Sequence, residues 1–392
     1  MTNLEKLLEG VEVEWKTLGE ICKVLRGKRL TKRDLVQDAQ YPIFHGGLEP
    51  IGYYSKNNRL ANSTMLINVG ASAGTVGFCN HDFWSSDGCF CFSHNDIVNQ
   101  RYLFYALQSI EHTIKSKVRK AGIPTLDNKY IERLLIPIPC PKNQNKSLEI
   151  QRKIVDILDK FTTLETELEA ELDCRKRQYE YYRNKLLSFD KLNNIIWMSI
   201  NDVCENICSG GTPLTSKQEY YQGNIPWLRT QDVNWKEVYD TDVKISEEAI
   251  ESSSAKIIPR NCVIVAMYGA TAAKACINKI PLTTNQACCN LQINGQIANY
   301  KYVYYWLCHE YNNLKALGEG SQSNINGRKI KAYKIPIPSL SEQQRIVSIL
   351  DKFEILTTSI SEGLPKEIEL RRKQYEYYRN KLLSFPNAKI KL

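Results

Sequence analysis

Twelve consecutive residues occur twice in this chain of 392. Gln178-Tyr179-Glu180-Tyr181-Tyr182-Arg183-Asn184-Lys185-Leu186-Leu187-Ser188-Phe189 returns letter for letter at 374–385. A run of that length does not repeat by chance, so the chain is a tandem duplication and its architecture must be built twice. Two shorter anchors precede each copy. Ile-Leu-Asp-Lys-Phe stands at 157–161 and 349–353, and Ile-Pro-Ile-Pro at 136–139 and 335–338. Further upstream the agreement thins to short matches: 15–22 with 197–204, 70–73 with 269–272, 85–87 with 283–285, and 102–105 with 302–305. The order is therefore variable block, repeated block, variable block, repeated block, with boundaries at 1–135, 136–190, 191–334 and 335–392.

The repeated blocks read as long helices. Apolar positions run Ile154, Leu158, Phe161, Leu164, Leu168, Leu172, Tyr179, Tyr182 and Leu186, interrupted once at Arg175. The second copy runs Ile346, Leu350, Phe353, Leu356, Ile360, Leu364, Ile368, Tyr375, Tyr378 and Leu382. Steps of three and four sustained this long describe a helix–helix seam. Some 40 residues at ~1.5 Å each make a rod of roughly 60 Å, and two such rods in one chain are expected to pair. Each Ile-Pro-Ile-Pro is expected to be an extended connector, because proline disfavours helix at itself and at the residue before it. Pro365 should either kink the second helix or open a new one after Gly363. The first helix also carries a tandem tetrad, Leu164-Glu165-Thr166-Glu167 then Leu168-Glu169-Ala170-Glu171. From Phe161 to Gln178 is 17 residues and from Phe353 to Gln374 is 21, so the second copy is one tetrad longer. Such an insertion is a stutter, which a seam absorbs by local unwinding.

The variable blocks read as mixed α/β domains. Runs at 64–69 and 261–266 are short, apolar and β-rich and lead into glycine turns, while 102–108 and 302–307 read as short helices. Hydrophobic residues at 43% and charged residues at 24% supply packed cores and argue against disorder. No run of ~18 apolar residues and no apolar leader occurs, so a soluble, cytoplasmic chain with no membrane partner is expected. Thirteen cysteines without a Cys-x-x-Cys pair are expected to be reduced thiols. Cys79, His81, Cys89, Cys91 and His94 come nearest to a metal site, but their spacing fits no common zinc module; buried strand cysteines and no metal are expected.

Catalytic patterns are missing. Gly70-Ala71-Ser72-Ala73-Gly74 lacks the lysine of a phosphate loop and reads as a tight turn. No Asn-Pro-Pro-aromatic motif of amino-methyltransferases occurs, and Glu14-Trp15-Lys16 has the Glu-x-Lys form of nucleases without a suitable aspartate ahead of it. The five histidines pair with no nucleophile. Charge is more informative. Lysine and arginine number 52 against 43 aspartates and glutamates, a net +9 that suits a polyanionic partner. The basic residues cluster in the variable blocks: Lys23, Arg26, Lys28, Arg29, Lys32 and Arg33, then Lys115, Lys117, Arg119 and Lys120, and in the second half Lys217, Arg229, Lys274, Arg328, Lys329, Lys331 and Lys334. Interleaved are Thr31, Gln231, Asp232, Gln322, Asn324 and Asn326, side chains able to read base edges while lysines anchor phosphates. The candidate DNA contacts are Arg26, Lys28, Arg29, Lys32, Arg33, His45, Lys217, Arg229, Gln231, Asp232, Lys274, Asn324, Arg328 and Lys329. Tyr179, Tyr181, Tyr182, Tyr375, Tyr377 and Tyr378 are candidate subunit contacts. Tyr179 and Tyr182 share one helical stripe and Tyr181 lies on another, so one stripe serves a seam and the second a partner. Two near-identical blocks fit two identical partner subunits on a pseudo-two-fold scaffold.

These residues resemble a known family. Gln-Tyr-Glu-Tyr-Tyr-Arg-Asn-Lys-Leu-Leu-Ser-Phe after Leu-Asp-Lys-Phe, with Ser361-Glu362-Gly363-Leu364-Pro365, is similar to the specificity subunits of Type I restriction–modification enzymes, and most similar to the type IC subgroup. Arg26-Gly27-Lys28-Arg29 with His45-Gly46-Gly47, and Gly210-Gly211-Thr212-Pro213 with Pro226-Trp227-Leu228-Arg229, resemble target-recognition domains of that family. The resemblance implies an α+β chain: two globular mixed α/β target-recognition domains joined by two long helices pairing as an antiparallel coiled coil. It implies no catalytic residue and no cofactor in this chain. Each domain would read one half of a bipartite, asymmetric site in double-stranded DNA, with the coiled coil setting the spacer. Two methyltransferase subunits, carrying S-adenosylmethionine, would dock on the repeated blocks, and motor–nuclease restriction subunits can add to them. A stand-alone DNA enzyme would need a catalytic motif. A coiled-coil scaffold without DNA contact would leave the two divergent basic domains unexplained.

Overall fold

A computed structural model of the chain describes residues 8–30, 33, 35–36, 39–189, 195–318, 324–359, 361–385 and 389–390. Thr31, Lys32, Gln322 and Ile360 lie outside the described residues. In chain order the elements are β1 (Glu12–Thr17), α1 (Leu18–Ile21), β2 (Val24–Arg26), β3 (Tyr41–Phe44), β4 (Tyr53–Tyr54), β5 (Ser63–Ile67), β6 (Val76–Cys79), β7 (Trp84–Ser85), β8 (Cys89–Phe92), α2 (Gln100–Ser109), α3 (Glu111–Ser116), α4 (Asn128–Glu132), β9 (Leu135–Pro139) and α5 (Gln144–Leu186). The second half continues with β10 (Ile196–Ser199), β11 (Cys204–Ser209), β12 (Ile225–Leu228), β13 (Glu237–Val238), β14 (Lys244–Ile245), α6 (Glu247–Glu251), β15 (Val263–Ala266), β16 (Ala275–Asn278), β17 (Thr283–Thr284), β18 (Cys288–Ile293), α7 (Tyr300–His309), α8 (Tyr311–Ala316), α9 (Gly327–Ala332), β19 (Lys334–Ile337), α10 (Leu340–Thr358), α11 (Leu364–Ser384) and β20 (Lys389–Ile390).

Two compact units result, and neither is a continuous stretch of chain. One comprises Met1–Ala170 and Glu367–Leu392, the other Glu171–Lys366. Each variable block is thus completed by helix from both repeats. In the first unit a sheet ordered β2-β8-β5-β6 carries α2 and the start of α5 on one face, and a smaller sheet β4-β3-β7 flanks it. In the second unit β11-β18-β15-β16-β13 and β14-β12-β17 repeat that plan. Even unusual backbone recurs: Asn62 and Asn261 both open the central strand from the left-handed region, at φ 56° and 66°. Asparagine tolerates that region better than other residues bearing a β-carbon.

The Ile-Pro-Ile-Pro segments are strands rather than plain connectors. β9 pairs antiparallel with β1, Trp15 opposite Pro137, and β19 pairs with β10, Trp197 opposite Pro336. Proline is tolerated there because both lie at sheet edges, where an amide hydrogen is dispensable.

One side-chain network fastens each domain to the helix that follows it, and it too is duplicated. Gln151 accepts from the Asn99 amide (2.8 Å) and donates to the Ile97 carbonyl (3.1 Å). Gln343 does the same with Asn299 (2.8 Å) and Ile297 (3.2 Å). Asp159 receives Arg101 Nε (2.8 Å) and the Tyr105 hydroxyl (2.5 Å); Asp351 receives Lys301 Nζ (3.0 Å) and the Tyr305 hydroxyl (2.6 Å). Tyr102 and Tyr302 donate to the carbonyls of Pro137 and Pro336, both at 2.7 Å. The glutamines and tyrosines of this set are buried, so leaving one of their bonds unmade would cost on the order of 1–3 kcal/mol, whereas the partly exposed ion pairs at Asp159 and Asp351 add less; together they hold domain and helix at one angle.

Within each unit the helical segments run antiparallel. In the first, Phe161 stacks on Tyr378 with ring centres 5.4 Å apart, while Arg372 binds Glu165 and Glu169. Numbers rise along one segment as they fall along the other. In the second, Phe353 stacks on Tyr182 at 5.6 Å and packs beside Tyr179 at 6.2 Å. Tyr375, Leu382, Leu383 and Phe385 enter the core of the first unit, as Leu187 and Phe189 enter that of the second. The second repeat is not one rod. α10 ends at Thr358 and α11 begins at Leu364, with Gly363 at φ 88° between them. Of the two outcomes open for Pro365, the structure takes the new helix: Pro365 is its second residue, where a missing amide hydrogen costs nothing. The four extra residues are accommodated by this break and not by a stutter, which corrects that expectation.

Candidate nucleic-acid interface

Most basic residues of the first domain gather at one end of its main sheet; Lys23 does not, because it precedes β2 and its amide bonds Ser93 beyond the far end of β8 (2.9 Å). β2 ends at Arg26, opposite Phe90 near the start of β8, and β5 ends at Ile67, opposite Cys89. The loop after β2 is pressed onto β7: the Lys28 amide donates to the Ser85 carbonyl (2.9 Å) and Trp84 Nε1 to the Lys28 carbonyl (2.7 Å). Gly27 permits that approach, because a β-carbon there would be driven into the Ser86 carbonyl oxygen. Arg59 Nη2 donates to the Arg26 carbonyl (2.9 Å). β3 runs parallel to β7 with Phe44 opposite Ser85, which sets His45 beside Asp87, Nδ1 to Oδ1 at 3.4 Å. That distance is long for a hydrogen bond, and it becomes an ion pair only when His45 is protonated. The rim continues through Val69 to Thr125 and from Thr125 to Arg119, bringing the second basic set, Lys115, Lys117, Arg119 and Lys120, to the same end. Arg26, Lys28, Arg29 and Arg33 all project into solvent.

The second domain builds its rim from the same backbone with other side chains. The Gly211 amide donates to the Thr284 carbonyl (2.9 Å), and a β-carbon at Gly210 would strike that carbonyl oxygen. Leu228 lies opposite Thr284, so Thr284 corresponds to Ser85; the matched triplets 85–87 and 283–285 are one residue out of step. Arg229 follows, its Nε 3.3 Å from Asp232 Oδ2, and the Thr271 hydroxyl donates to the Thr230 carbonyl (2.6 Å). Lys274 reaches Asn234 Oδ1 (2.7 Å). The Ile325 amide donates to the Met267 carbonyl (2.8 Å), which draws exposed Asn324 and Arg328 to this rim. Lys329 is turned toward the Leu317 carbonyl (2.7 Å). Arg229, Gln231, Asp232, Lys274, Asn324 and Arg328 therefore come together. Lys217 stands apart on a short turn: its ammonium bonds the Tyr220 hydroxyl (2.9 Å), and that bond holds its pKa above the ordinary value.

Asp87, Arg59, Thr212 and Gln286 belong to the rims as well, and sequence reasoning missed them. Thr212 and Gln286 bond each other across the second rim. Asp87 had a signal, since it sits in one of the short matched triplets, but a single acid among basic clusters reads as incidental. Cys89 and Cys91 are fully buried and pack against Phe44, Met65 and Ile67.

The six tyrosines divide by stripe. Tyr375 is buried and bonds Gln108 (2.5 Å), and Tyr378, Tyr179 and Tyr182 face the phenylalanines described above. Tyr181 and Tyr377 point outward, 59% and 58% exposed. Each lies under its own lysine, Lys185 and Lys381, both 5.7 Å from the ring centre.

Two α/β domains with basic rims, each completed by antiparallel helix, define a two-domain DNA-recognition protein. The family described as Type I restriction modification DNA specificity domain matches residues 10–173 and 196–370, and the chain belongs to it. The specificity subunit of the Type I restriction enzyme EcoR124I/EcoR124II from Escherichia coli is 37% identical over 404 residues, covering 98% of each chain. A putative Type I specificity subunit of Haemophilus influenzae is 32% identical over 413 residues, again 98% of each. Among solved structures, the S subunit from M. genitalium superposes with a TM-score of 0.58 at 17% identity over 96% of both chains. The HsdS subunit from Thermoanaerobacter tengcongensis superposes at 0.55, with 15% identity over 96% and 97%. At those identities the likeness is one of fold. The chain is a specificity subunit of a Type I restriction–modification system, with two DNA-recognition domains.

Proposed function

We propose that the chain reads a bipartite, asymmetric DNA site, one half per domain, and contributes no catalytic group of its own. The observation that carries this is the pair of rims: the same backbone at the same sheet end, basic in both domains, with different side chains at corresponding positions. Arg229, Gln231 and Arg328 are the base-reading candidates of the second domain, while Lys28, Arg29 and Lys274 anchor phosphates. Methyl transfer comes from two methyltransferase subunits, which bind S-adenosylmethionine and dock on the outward faces around Tyr181 and Tyr377. Motor–nuclease subunits join that core where restriction occurs, and the assembly works in the cytoplasm. Identical exposed aromatic–lysine pairs in both copies suit identical partners, since aromatics concentrate in interface cores.

Two measurements test this. The purified chain alone should transfer no methyl group to DNA, whereas the chain with its methyltransferase subunits should methylate a split motif; transfer by the lone chain overturns the reading. Replacing Arg229 by alanine should cost about 1–3 kcal/mol on one half-site only, whereas Lys28→Ala should weaken all sequences alike and lower the salt dependence. Unchanged affinity and salt dependence in both variants would remove the rims from the DNA.

A further inference from the structure

Acidic side chains are unwelcome on a surface that faces phosphates, so an acid retained at the centre of a basic rim needs a reason. Asp87 is such an acid. It lies two residues after Ser85, whose carbonyl takes the Lys28 amide, and it sits beside His45, with Arg26 at the end of β2 and Lys28 and Arg29 on the loop that follows. Its two oxygens are not equivalent. Oδ1 accepts the Ser86 hydroxyl (3.1 Å) and faces His45 Nδ1 (3.4 Å), whereas Oδ2 receives no hydrogen bond among the described residues. The Asp87 side chain is 30% exposed, and both of its contacts among the described residues fall on Oδ1, which leaves Oδ2 available to a ligand.

The second domain places a different side chain at that position. Phe44 lies opposite Ser85 and Leu228 opposite Thr284, and the Asn68 and Met267 amides donate to the Gly88 and Ala287 carbonyls (3.1 and 2.8 Å). By that register His45 corresponds to Arg229 and Asp87 to Gln286. The backbone is the same and the chemistry is not: an acceptor-only carboxylate in one domain, an exposed carboxamide in the other. Both side chains are held at one end, Asp87 by Ser86 and Gln286 by Thr212. Variation on a fixed frame is what a pair of readers of different half-sites requires.

We propose that Asp87 is a specificity-determining residue of the first domain, its Oδ2 accepting from the exocyclic amine of a cytosine in the major groove, with His45 as its positioning residue. The inference rests on the reading of the rims as the DNA-facing surface. A carboxylate accepts from cytosine N4 and repels the O6 and N7 acceptors of guanine, so it discriminates by rejection as much as by attraction. Gln286 occupies the corresponding position in the second domain and reads a different base there.

The test uses the chain assembled with its methyltransferase subunits and maps methylated adenines across genomic DNA. The wild-type assembly should return a split motif with a C·G pair in the first domain's half. Asp87→Asn should lose roughly tenfold or more of the discrimination at that one pair, leaving the other half-site and the spacer as they were. His45→Ala should relax the same pair by less. A motif unchanged in Asp87→Asn overturns the proposal, as does an equal loss on all sequences, which marks a phosphate-side or structural role. Should Asp87→Asn fail to assemble, Asp87→Glu decides, because it keeps the acceptor: retention of the cytosine preference supports the proposal and its loss at an unchanged melting temperature overturns it. Absence of any motif from the wild-type assembly would instead strike the rim reading itself.

Discussion

Glu354 carries a cost that its counterpart in the first repeat avoids. Position for position it answers to Thr162, which lies 3.5 Å from the Tyr105 hydroxyl, whereas Glu354 takes the Tyr305 hydroxyl at 2.6 Å. Burial pushes the Glu354 carboxyl above its ordinary value, and Asp351 adds to that push against the pull of Tyr305 and Lys301. A carboxyl raised by folding is protonated more readily in the folded chain than in the unfolded one. Stability therefore falls as pH rises from the usual carboxylate range through the raised value. Glu354→Gln should raise the thermal midpoint at pH 7 by about 2 °C and change it little below about pH 4. A midpoint unmoved at pH 7 would show that Tyr305 needs the charge. Such detail is hidden in the sequence, where Glu354 reads as one more solvated face of an amphipathic helix. Its burial depends on Tyr304, Tyr305 and Cys308 arriving from a helix some 50 residues upstream. The rim residues were half legible for a similar reason. Clusters such as 26–29 declare themselves by charge, but Asp87 gains meaning only when β3 and β7 place it beside His45.

At the scale of elements, the helical seam was legible because its periodicity is local, and the domains' sheets much less so because β pairing joins distant residues. The break between α10 and α11 shows the limit. Apolar spacing continues across it through Leu356 and Leu364, yet the backbone turns at Gly363, where a β-carbon would be forced into the Ile355 carbonyl oxygen. Gly363→Ala must either strain a left-handed φ or abandon the turn, so a loss of roughly 1–3 kcal/mol is expected in denaturant titration. An unaffected midpoint would mean that α10 and α11 fuse without penalty. The outward stripe makes a separate claim. Tyr181→Ala with Tyr377→Ala should leave the melting temperature within about 1 °C, since neither ring is buried, and should weaken binding of methyltransferase subunits at least tenfold. Undiminished assembly in a pull-down would place the partners elsewhere.

At the scale of the whole molecule, the tetrads of α5 are expected to set a property of the DNA site. Glu165 and Glu169 hold the same place in successive tetrads, and Arg372 binds both. That bond to Glu165 is also the largest influence raising the Arg372 pKa. Surface ion pairs of this kind are worth only about 0.2–1 kcal/mol each, so they guide register more than they stabilise. A third tetrad would offer an equivalent glutamate four residues further on, and leucines at the same interval would keep the seam apolar. The helix itself would lengthen by roughly 6 Å and turn by about 400°, a net rotation near 40°. B-DNA advances ~3.4 Å per base pair and makes a full turn in about 10–10.5 pairs, roughly 34–36° each. The rotation corresponds to one base pair and the translation alone to nearly two; a reader that must face its groove is constrained first by rotation. Duplicating Leu164-Glu165-Thr166-Glu167 should therefore lengthen the unspecified spacer by one base pair and leave both half-sites unchanged. The insertion brings the interval from Phe161 to Gln178 from 17 residues to the 21 already present between Phe353 and Gln374, which the second repeat absorbs by its break. Mapping methylated adenines in cells carrying the insertion decides the matter. An unchanged spacer would show that α5, like the second repeat, takes up four residues by breaking, and altered half-site bases would show that the tetrads reach into the reading heads.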